Sequence, residues 1–232
     1  MEILITGTNR GIGFELTKQY LAKGCNVTAT CRNLESAHKL KELGRAYGEN
    51  LTLRELDISS PNQIEKLSDD LLANNITLDL VLNNAGYLDR SNQSILDIDY
   101  FAAEKCFQVN SLGPLYLIHK LLPLMATRDE SKIVIITSAM GSLTLEQTAD
   151  WYGYRMSKAA ANMLVVNLKQ ELRTDNIAIA AIHPGWVKTD MGTKLARDEV
   201  GKSVEGIISI VENLSLENTG GFFNFYGKLI QF

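Results

Sequence analysis

The 232-residue chain has 45% hydrophobic and 22% charged residues, the balance of an ordinary globular domain that can bury a large core. Its net charge of −4 carries no basic surplus, which excludes the usual electrostatic surface for nucleic acid or an acidic membrane. Three cysteines without paired spacing, no signal-peptide pattern and no apolar run long enough to span a bilayer favour a cytoplasmic protein with free thiols.

Short apolar runs rich in β-branched residues alternate along the chain with longer amphipathic stretches. The predicted strands are residues 3–6, 26–30, 51–56, 78–82, 132–138, 177–183 and 222–225. The predicted helices are residues 11–23, 36–46, 61–73, 100–125, 150–174 and 200–214. This alternation predicts one α/β domain over residues 1–232, a doubly wound (Rossmann) seven-stranded parallel sheet with helices on both faces. Ligands bind such sheets at the carboxyl ends of the strands.

A glycine-rich turn, Thr6-Gly7-Thr8-Asn9-Arg10-Gly11-Ile12-Gly13, joins the first predicted strand to the first helix. Glycines let backbone N–H groups approach a pyrophosphate closely, and the helix N-terminus adds a partial positive charge. At the start of a βαβ array the turn predicts a dinucleotide site, with plain turn glycines as the alternative. The predicted cofactor-binding residues here are Gly7, Asn9, Arg10, Gly11, Ile12 and Gly13.

The end of the second predicted strand indicates which dinucleotide binds. An NAD site usually has Asp or Glu there to bond the ribose 2′-hydroxyl, and residues 27–33 contain no acid. Arg32 can instead bind a 2′-phosphate with its guanidinium fork, and Arg10 can reach the same charge. These arginines predict NADP(H) as the cofactor, with two solvated surface arginines as the alternative.

Tyr154 and Lys158 are four residues apart in a predicted helix and therefore lie on one helix face. A phenol with a pKa of about 10 is a poor acid or base at neutral pH, and a cationic neighbour lowers that pKa. Ser138 ends the fifth predicted strand, where its hydroxyl can donate to a substrate carbonyl oxygen. The three histidines lack metal-ligand spacing, so we expect no metal site.

Pro114 falls inside the predicted helix 100–125 and cannot donate to the carbonyl oxygen of Asn110, four residues earlier. We therefore expect the helix to kink at this point. The alternative is a simple boundary between two consecutive helices.

In chain order these segments resemble the short-chain dehydrogenase/reductase family, and in particular its compact, single-domain C-factor-like or sniffer-like carbonyl reductases. The matching positions are residues 6–13, 30–33, 83–86, 110, 138, 154–158, 183–190 and 220–222. The resemblance implies an NADPH-dependent reduction of an aldehyde, ketone or quinone in which Tyr154 donates the proton. It also implies that Lys158 lowers the pKa of Tyr154 and bonds the nicotinamide ribose, that Ser138 orients the carbonyl, and that Asn110 positions a relay water.

The resemblance implies further cofactor contacts along the carboxyl edge of the sheet, with Asp57 bonding the adenine edge. These further positions are Asp57, Ile58, Asn83, Ala85, Gly86, Pro184, Gly185, Val187 and Thr189. Only a short stretch follows Thr189, so we expect a small substrate lid near residues 190–212. The candidates for an apolar substrate pocket are Met140, Trp151, Trp186 and Met191, for which core packing is the alternative.

Family analogy implies a homodimer or homotetramer formed through the long fourth and sixth predicted helices. A different class of function stays open: a cofactor-binding signalling protein of the C-factor type in which turnover is secondary. The presence of Ser138, Tyr154 and Lys158 argues for the enzyme.

Overall fold

The computed structural model describes residues 1–90, 94–125, 130–145, 150–193 and 195–232. Within these ranges seven parallel strands form one sheet. The strands are β1 (Glu2–Thr6), β2 (Asn26–Cys31), β3 (Leu51–Glu55), β4 (Leu80–Asn83), β5 (Ser131–Ile136), β6 (Ile177–His183) and β7 (Phe222–Asn224). Their order is β3-β2-β1-β4-β5-β6-β7, which confirms the predicted doubly wound fold. The order reverses between β1 and β4, and a ligand crevice opens at such a switch point.

Helices cover both faces of the sheet, as predicted. They are α1 (Gly11–Ala22), α2 (His38–Tyr47), α3 (Pro61–Ala73), α4 (Tyr100–Phe107), α5 (Gly113–Met125), α6 (Tyr152–Glu171) and α7 (Val200–Asn213). The helices α1, α2 and α7 pack in one hydrophobic cluster, and α3, α5 and α6 pack in another. No helix in the described part of the chain is long and apolar enough to cross a membrane.

Strand β5 shows how the sequence builds these two clusters. Ile133 and Ile135 lie in the cluster on one face, while Val134 and Ile136 lie in the cluster on the other. Successive side chains of a strand point to opposite faces, so a strand covered on both sides needs an unbroken apolar run. Polar side chains therefore lie at the two ends of this apolar run, at Ser131 and Lys132 before it and at Thr137 and Ser138 after it.

The predicted helix 100–125 is interrupted just before Pro114, which agrees with the alternative of a boundary between two consecutive helices. A π-helical turn over Gln108–Leu112 separates α4 from α5, and the N–H of Gly113 donates to the carbonyl oxygen of Gln108. Pro114 lies in the first turn of α5, where a missing N–H is tolerated. The turn places Asn110 in the buried space between α4, α5 and α6. Such π-helical turns are frequent at functional sites.

The close packing of α1 against the glycine turn leads to a stability prediction. A Cβ on Gly13 would collide with the carbonyl oxygen of Gly7 and the side-chain amide of Asn84, whereas one on Gly44 would lie 3.9 Å from Leu53. We expect Gly13→Ala to lower the free energy of unfolding by about 1–3 kcal/mol through overpacking. The matched change Gly44→Ala, within α2, should raise it by about 0.5–1 kcal/mol because glycine is a poor helix former. Urea unfolding measures both values, and equal changes would contradict this account.

Candidate active site

The glycine turn between β1 and α1 forms a cradle of backbone. Gly7 and Gly11 have φ values of +71° and +58°, and a Cβ on Gly7 would lie 2.8 Å from the Cα of Ala85. Arg10 is the N-cap residue of α1, and its side chain makes no capping hydrogen bond. Among the described residues no side chain accepts from the first N–H groups of α1, which fits the pyrophosphate of a dinucleotide.

The residues after β4 are fixed against the end of β1. The Thr6 hydroxyl accepts from the N–H of Asn84 at 3.0 Å and from that of Ala85 at 2.9 Å. The Asn84 side chain donates to the carbonyl oxygen of Thr6 at 2.8 Å. Asn83 is 2% exposed, and within the described residues neither atom of its side-chain amide has a hydrogen-bond partner. The side-chain amide of Asn83 therefore has unused hydrogen-bonding atoms beside the cradle, at the point where the strand order reverses.

At the adenine end of the predicted site, the Asp57 carboxylate accepts hydrogen bonds from the N–H of Ser59 at 2.9 Å and from its hydroxyl at 2.6 Å. Burial alone would raise the pKa of Asp57, but these bonds and the charges of Arg32 and Lys105 lower it below its ordinary value. Arg32 is exposed at the end of β2 and close enough to act on Asp57. Ile58 is buried in the core.

Arg10 forms an ion pair with Asp190, whose loop follows β6. Both side chains are largely exposed, so the pair contributes little to stability. In the same region a Cβ on Gly11 would lie 3.2 Å from the methyl group of Thr189. The loop after β6 therefore contacts the glycine turn, and Arg10 is held at the entrance to the crevice.

The loop after β6 is compact. Trp186 donates from its indole N–H to the carbonyl oxygen of Gly192 at 2.6 Å, and the N–H of Gly192 donates to the Thr189 hydroxyl at 3.1 Å. Gly185 has a φ of +90° and follows Pro184, while Val187 is buried. The predicted lid, residues 190–212, consists of part of this loop and most of α7, and α7 packs in the core. Lys194 of the predicted lid lies outside the described residues.

The predicted acid/base pair lies where β5 and α6 meet. Ser138 follows β5, and its hydroxyl lies close enough to the Tyr154 phenol to affect the pKa of that phenol. Trp151, with a left-handed φ of +58°, immediately precedes α6. Because α6 begins at Tyr152, Tyr154 lies in its first turn. Burial raises the pKa of Tyr154 to about 12, and the Ser138 hydroxyl acts in the opposite direction.

Lys158 lies one helical turn after Tyr154 and is only 4% exposed. Its ammonium donates to the carbonyl oxygen of Ile136 at 2.9 Å and lies 5.8 Å from the centre of the Tyr154 ring. Burial lowers the pKa of Lys158 to about 8. The expectation of a lowered Tyr154 pKa is therefore wrong in its net direction, because burial of the phenol outweighs any stabilisation of its anion by the ammonium of Lys158, which donates to Ile136.

Several predicted residues converge on Gly86. A Cβ there would lie 3.6 Å from the Asn110 side-chain oxygen, 3.8 Å from the Lys158 nitrogen and 3.8 Å from the Met191 methyl group. Met191, a candidate for the substrate pocket, therefore lies close to Asn110 and Lys158, two of the candidate catalytic residues. The other substrate candidates lie on adjoining segments: Met140 in the turn after Ser138, Trp151 at the start of α6, and the half-exposed Trp186 in the loop after β6.

A small cavity beside Tyr154 was missed by sequence reasoning. It lies among the loop after β4, α4 and α6, and none of the four substrate candidates lines it. The lining residues are Asp89, Ile98, Asp99, Ala102, Ala103, Cys106, Gly153 and Tyr154. These residues come from three segments that are far apart in the sequence, so no local sequence pattern could have indicated the cavity.

Comparisons with known proteins match this geometry. A family model described as short chain dehydrogenase matches residues 2–200. The C-signal of Myxococcus xanthus is 36% identical over 150 residues, which cover 65% of this chain and 90% of that protein. The carbonyl reductase Sniffer of D. melanogaster is 29% identical with a TM-score of 0.93, covering 100% of this chain and 99% of that one. The NADPH-bound carbonyl reductase from chicken fatty liver is 32% identical with a TM-score of 0.93, covering 100% and 98%.

The buried ammonium of Lys158 generates a stability prediction. Its pKa falls from 10.5 to about 8 on folding, so the unfolded chain binds more protons between these pH values and wild-type stability rises as the pH increases through them. We expect Lys158→Met to raise the free energy of unfolding at pH 7 by roughly 2 kcal/mol. Urea unfolding from pH 7 to 10 should show the difference between wild type and variant shrinking. Parallel pH curves would contradict the burial argument.

Proposed function

This chain belongs to the short-chain dehydrogenase family, and from that membership we propose that it is an NADPH-dependent carbonyl reductase. The resemblance predicted from the sequence is confirmed at the level of the family and of its Sniffer-like structures. The observation that carries the proposal is the convergence of three buried side chains: the Tyr154 phenol, the Ser138 hydroxyl that follows β5, and the Lys158 ammonium, which lies 5.8 Å from the centre of the Tyr154 ring. This is the set of groups needed to bind a carbonyl oxygen and to give it a proton.

The cradle supports a dinucleotide, and the arginines support its phosphorylated form. Gly7, Gly11 and the uncapped start of α1 can hold the pyrophosphate, and Arg32 stands at the end of β2 where an acid would favour NADH. The chicken carbonyl reductase that this chain resembles is NADPH-bound. When bound, the nicotinamide supplies the hydride.

The protonation state of Tyr154 suits the direction of reduction. A phenol with a pKa of about 12 is protonated at neutral pH and is ready to donate to the oxygen of a carbonyl substrate. The Ser138 hydroxyl can donate a second hydrogen bond to that oxygen and so orients it. Lys158, with a pKa of about 8, is cationic at pH 7 and can stabilise the phenolate that the transfer leaves behind.

We also infer that the protein assembles with itself. Leu115 of α5, within the fourth predicted helix, is 44% exposed, and Met156 and Met163 of α6 are each 55% exposed; such exposed apolar side chains support the proposed homodimer or homotetramer. Cys25, Cys31 and Cys106 are buried free thiols, which supports the proposed cytoplasmic location.

The identity to the C-signal of Myxococcus xanthus favours a second candidate, a signalling protein that binds the cofactor and in which turnover is secondary. The two candidates differ in one measurement, the consumption of NADPH with a panel of aldehydes, ketones and quinones. Turnover with any member of the panel supports the reductase. NADPH binding without turnover across the whole panel supports the signalling protein.

Replacing the tyrosine tests the proton donor. We expect Tyr154→Phe to fold, to keep its affinity for NADPH and to lose about 10²–10⁴-fold in kcat, because the phenolic proton is absent while packing is kept. Tyr152→Phe, two residues earlier on α6, is the matched control and should retain wild-type kcat. Steady-state kinetics and NADPH titration measure these values. Wild-type kcat in Tyr154→Phe would refute the assignment.

Replacing the arginine tests the cofactor. We expect Arg32→Ala to weaken NADPH binding by about 1.5–3 kcal/mol, the range for a charged hydrogen bond, and to leave NADH binding nearly unchanged. Arg45→Ala, at an exposed position near the end of α2, is the matched control for surface charge. Titration of each variant with both dinucleotides gives the affinities. An equal loss for NADPH and NADH would mean that Arg32 does not recognise the 2′-phosphate.

A further inference from the structure

Ser157 lies between Tyr154 and Lys158 in sequence and is fully buried. Its hydroxyl donates to the carbonyl oxygen of Tyr154 at 2.7 Å. The same hydroxyl accepts a hydrogen bond from the side-chain amide of Asn110 at 2.9 Å. Serine in a helix often bonds the carbonyl three or four residues earlier, so the first bond is ordinary. The second bond is different, because it joins α6 to the π-helical turn between α4 and α5.

The Asn110 side chain extends this connection to a third segment. Its oxygen accepts from the N–H of Tyr87 at 2.8 Å, and its amide nitrogen donates to the carbonyl oxygen of Tyr87 at 2.9 Å. Asn110 is 1% exposed, so these bonds exchange little with water. The π-helical turn, the loop after β4 and the first turn of α6 are therefore held together by one amide and one hydroxyl.

The connected atoms surround the reacting groups. Gly86 precedes Tyr87, and a Cβ on Gly86 would lie 3.8 Å from the Lys158 nitrogen. On the other side, the Ser157 hydroxyl holds the backbone of Tyr154 itself. Loss of the hydroxyl leaves one amide hydrogen of Asn110 buried without an acceptor, so the amide must move or admit water. Either response displaces the loop after β4, which lies against Lys158 at Gly86.

We propose that Ser157 is a positioning residue for the proton transfer, which fixes Asn110 and the loop after β4 against the Tyr154–Lys158 turn of α6. The proposal rests on the proposed function and adds a residue to its machinery that touches neither the substrate nor the cofactor. In the described residues, the titratable groups that act on Lys158 are the Tyr154 phenol of its own helix and the Cys106 thiol of α4. Gly86 and Met191, which lie near the Lys158 side chain in the loops after β4 and β6, are uncharged. Water admitted by a looser loop raises the pKa of Lys158 toward its ordinary value.

The test compares S157A with S157T and with S131A. Ser131 is the matched control, because it is 1% exposed and its hydroxyl donates to the carbonyl oxygen of Met125 at 2.9 Å, at the opposite edge of the sheet. We expect S157A to lose about 10–100-fold in kcat, the cost of a small misplacement, with unchanged NADPH affinity. The alkaline limb of its kcat–pH profile should move to higher pH. S157T keeps the hydroxyl and should recover most of the rate, and S131A should match wild type.

A second measurement does not depend on turnover. Amide hydrogen exchange at Tyr87, whose N–H donates to Asn110, should be faster in S157A than in wild type and S131A. An unchanged kcat and pH profile in S157A would overturn the proposal, and so would a rate loss without a pH shift that S157T fails to restore. If wild type turns over no carbonyl, the proposed function fails. Unchanged exchange at Tyr87 would then overturn the positioning role, and faster exchange would retain the structural link.

Discussion

The burial of both faces of the parallel sheet is the constraint on which the rest of the molecule depends. Strands β5 and β6 are apolar over residues 133–136 and 177–182 because helices cover them on both sides. Polar chemistry is then confined to the carboxyl ends of the strands. Thr6, Ser138 and the residues after β6 lie at that edge, and the strand reversal between β1 and β4 opens the crevice there.

Desolvation determines the electrostatics of the site. An ammonium and a phenol buried side by side are both driven toward their neutral forms, which raises the pKa of Tyr154 and lowers that of Lys158. The backbone carbonyl of Ile136 compensates Lys158 in part. This arrangement keeps a proton on Tyr154 at neutral pH and places the pKa of Lys158 close to physiological pH. Burial of the Lys158 ammonium lowers the stability of the fold at neutral pH.

The sequence predicted the parts of this site that have local patterns. Apolar runs predicted the strands, the glycine spacing predicted the cradle, and Pro114 predicted the broken helix. Ser157 and the Arg10–Asp190 pair escaped prediction because each depends on segments far apart in the chain. The direction of the Tyr154 pKa was wrong for a related reason. Sequence spacing shows that a cation is near, but it does not show how deeply both groups are buried.

The uncapped start of α1 has a consequence for the lifetime of the protein. Within the described residues its first N–H groups have no side-chain acceptor, so an anionic ligand in the cradle would bond them in place of water. A ligand that binds only the folded state stabilises it by about 2.7 kcal/mol at one hundred times its dissociation constant. The dinucleotide proposed for this cradle would therefore raise resistance to heat and proteolysis with the logarithm of its concentration. The abundance of the protein in a cell would then rise and fall with the nucleotide pool.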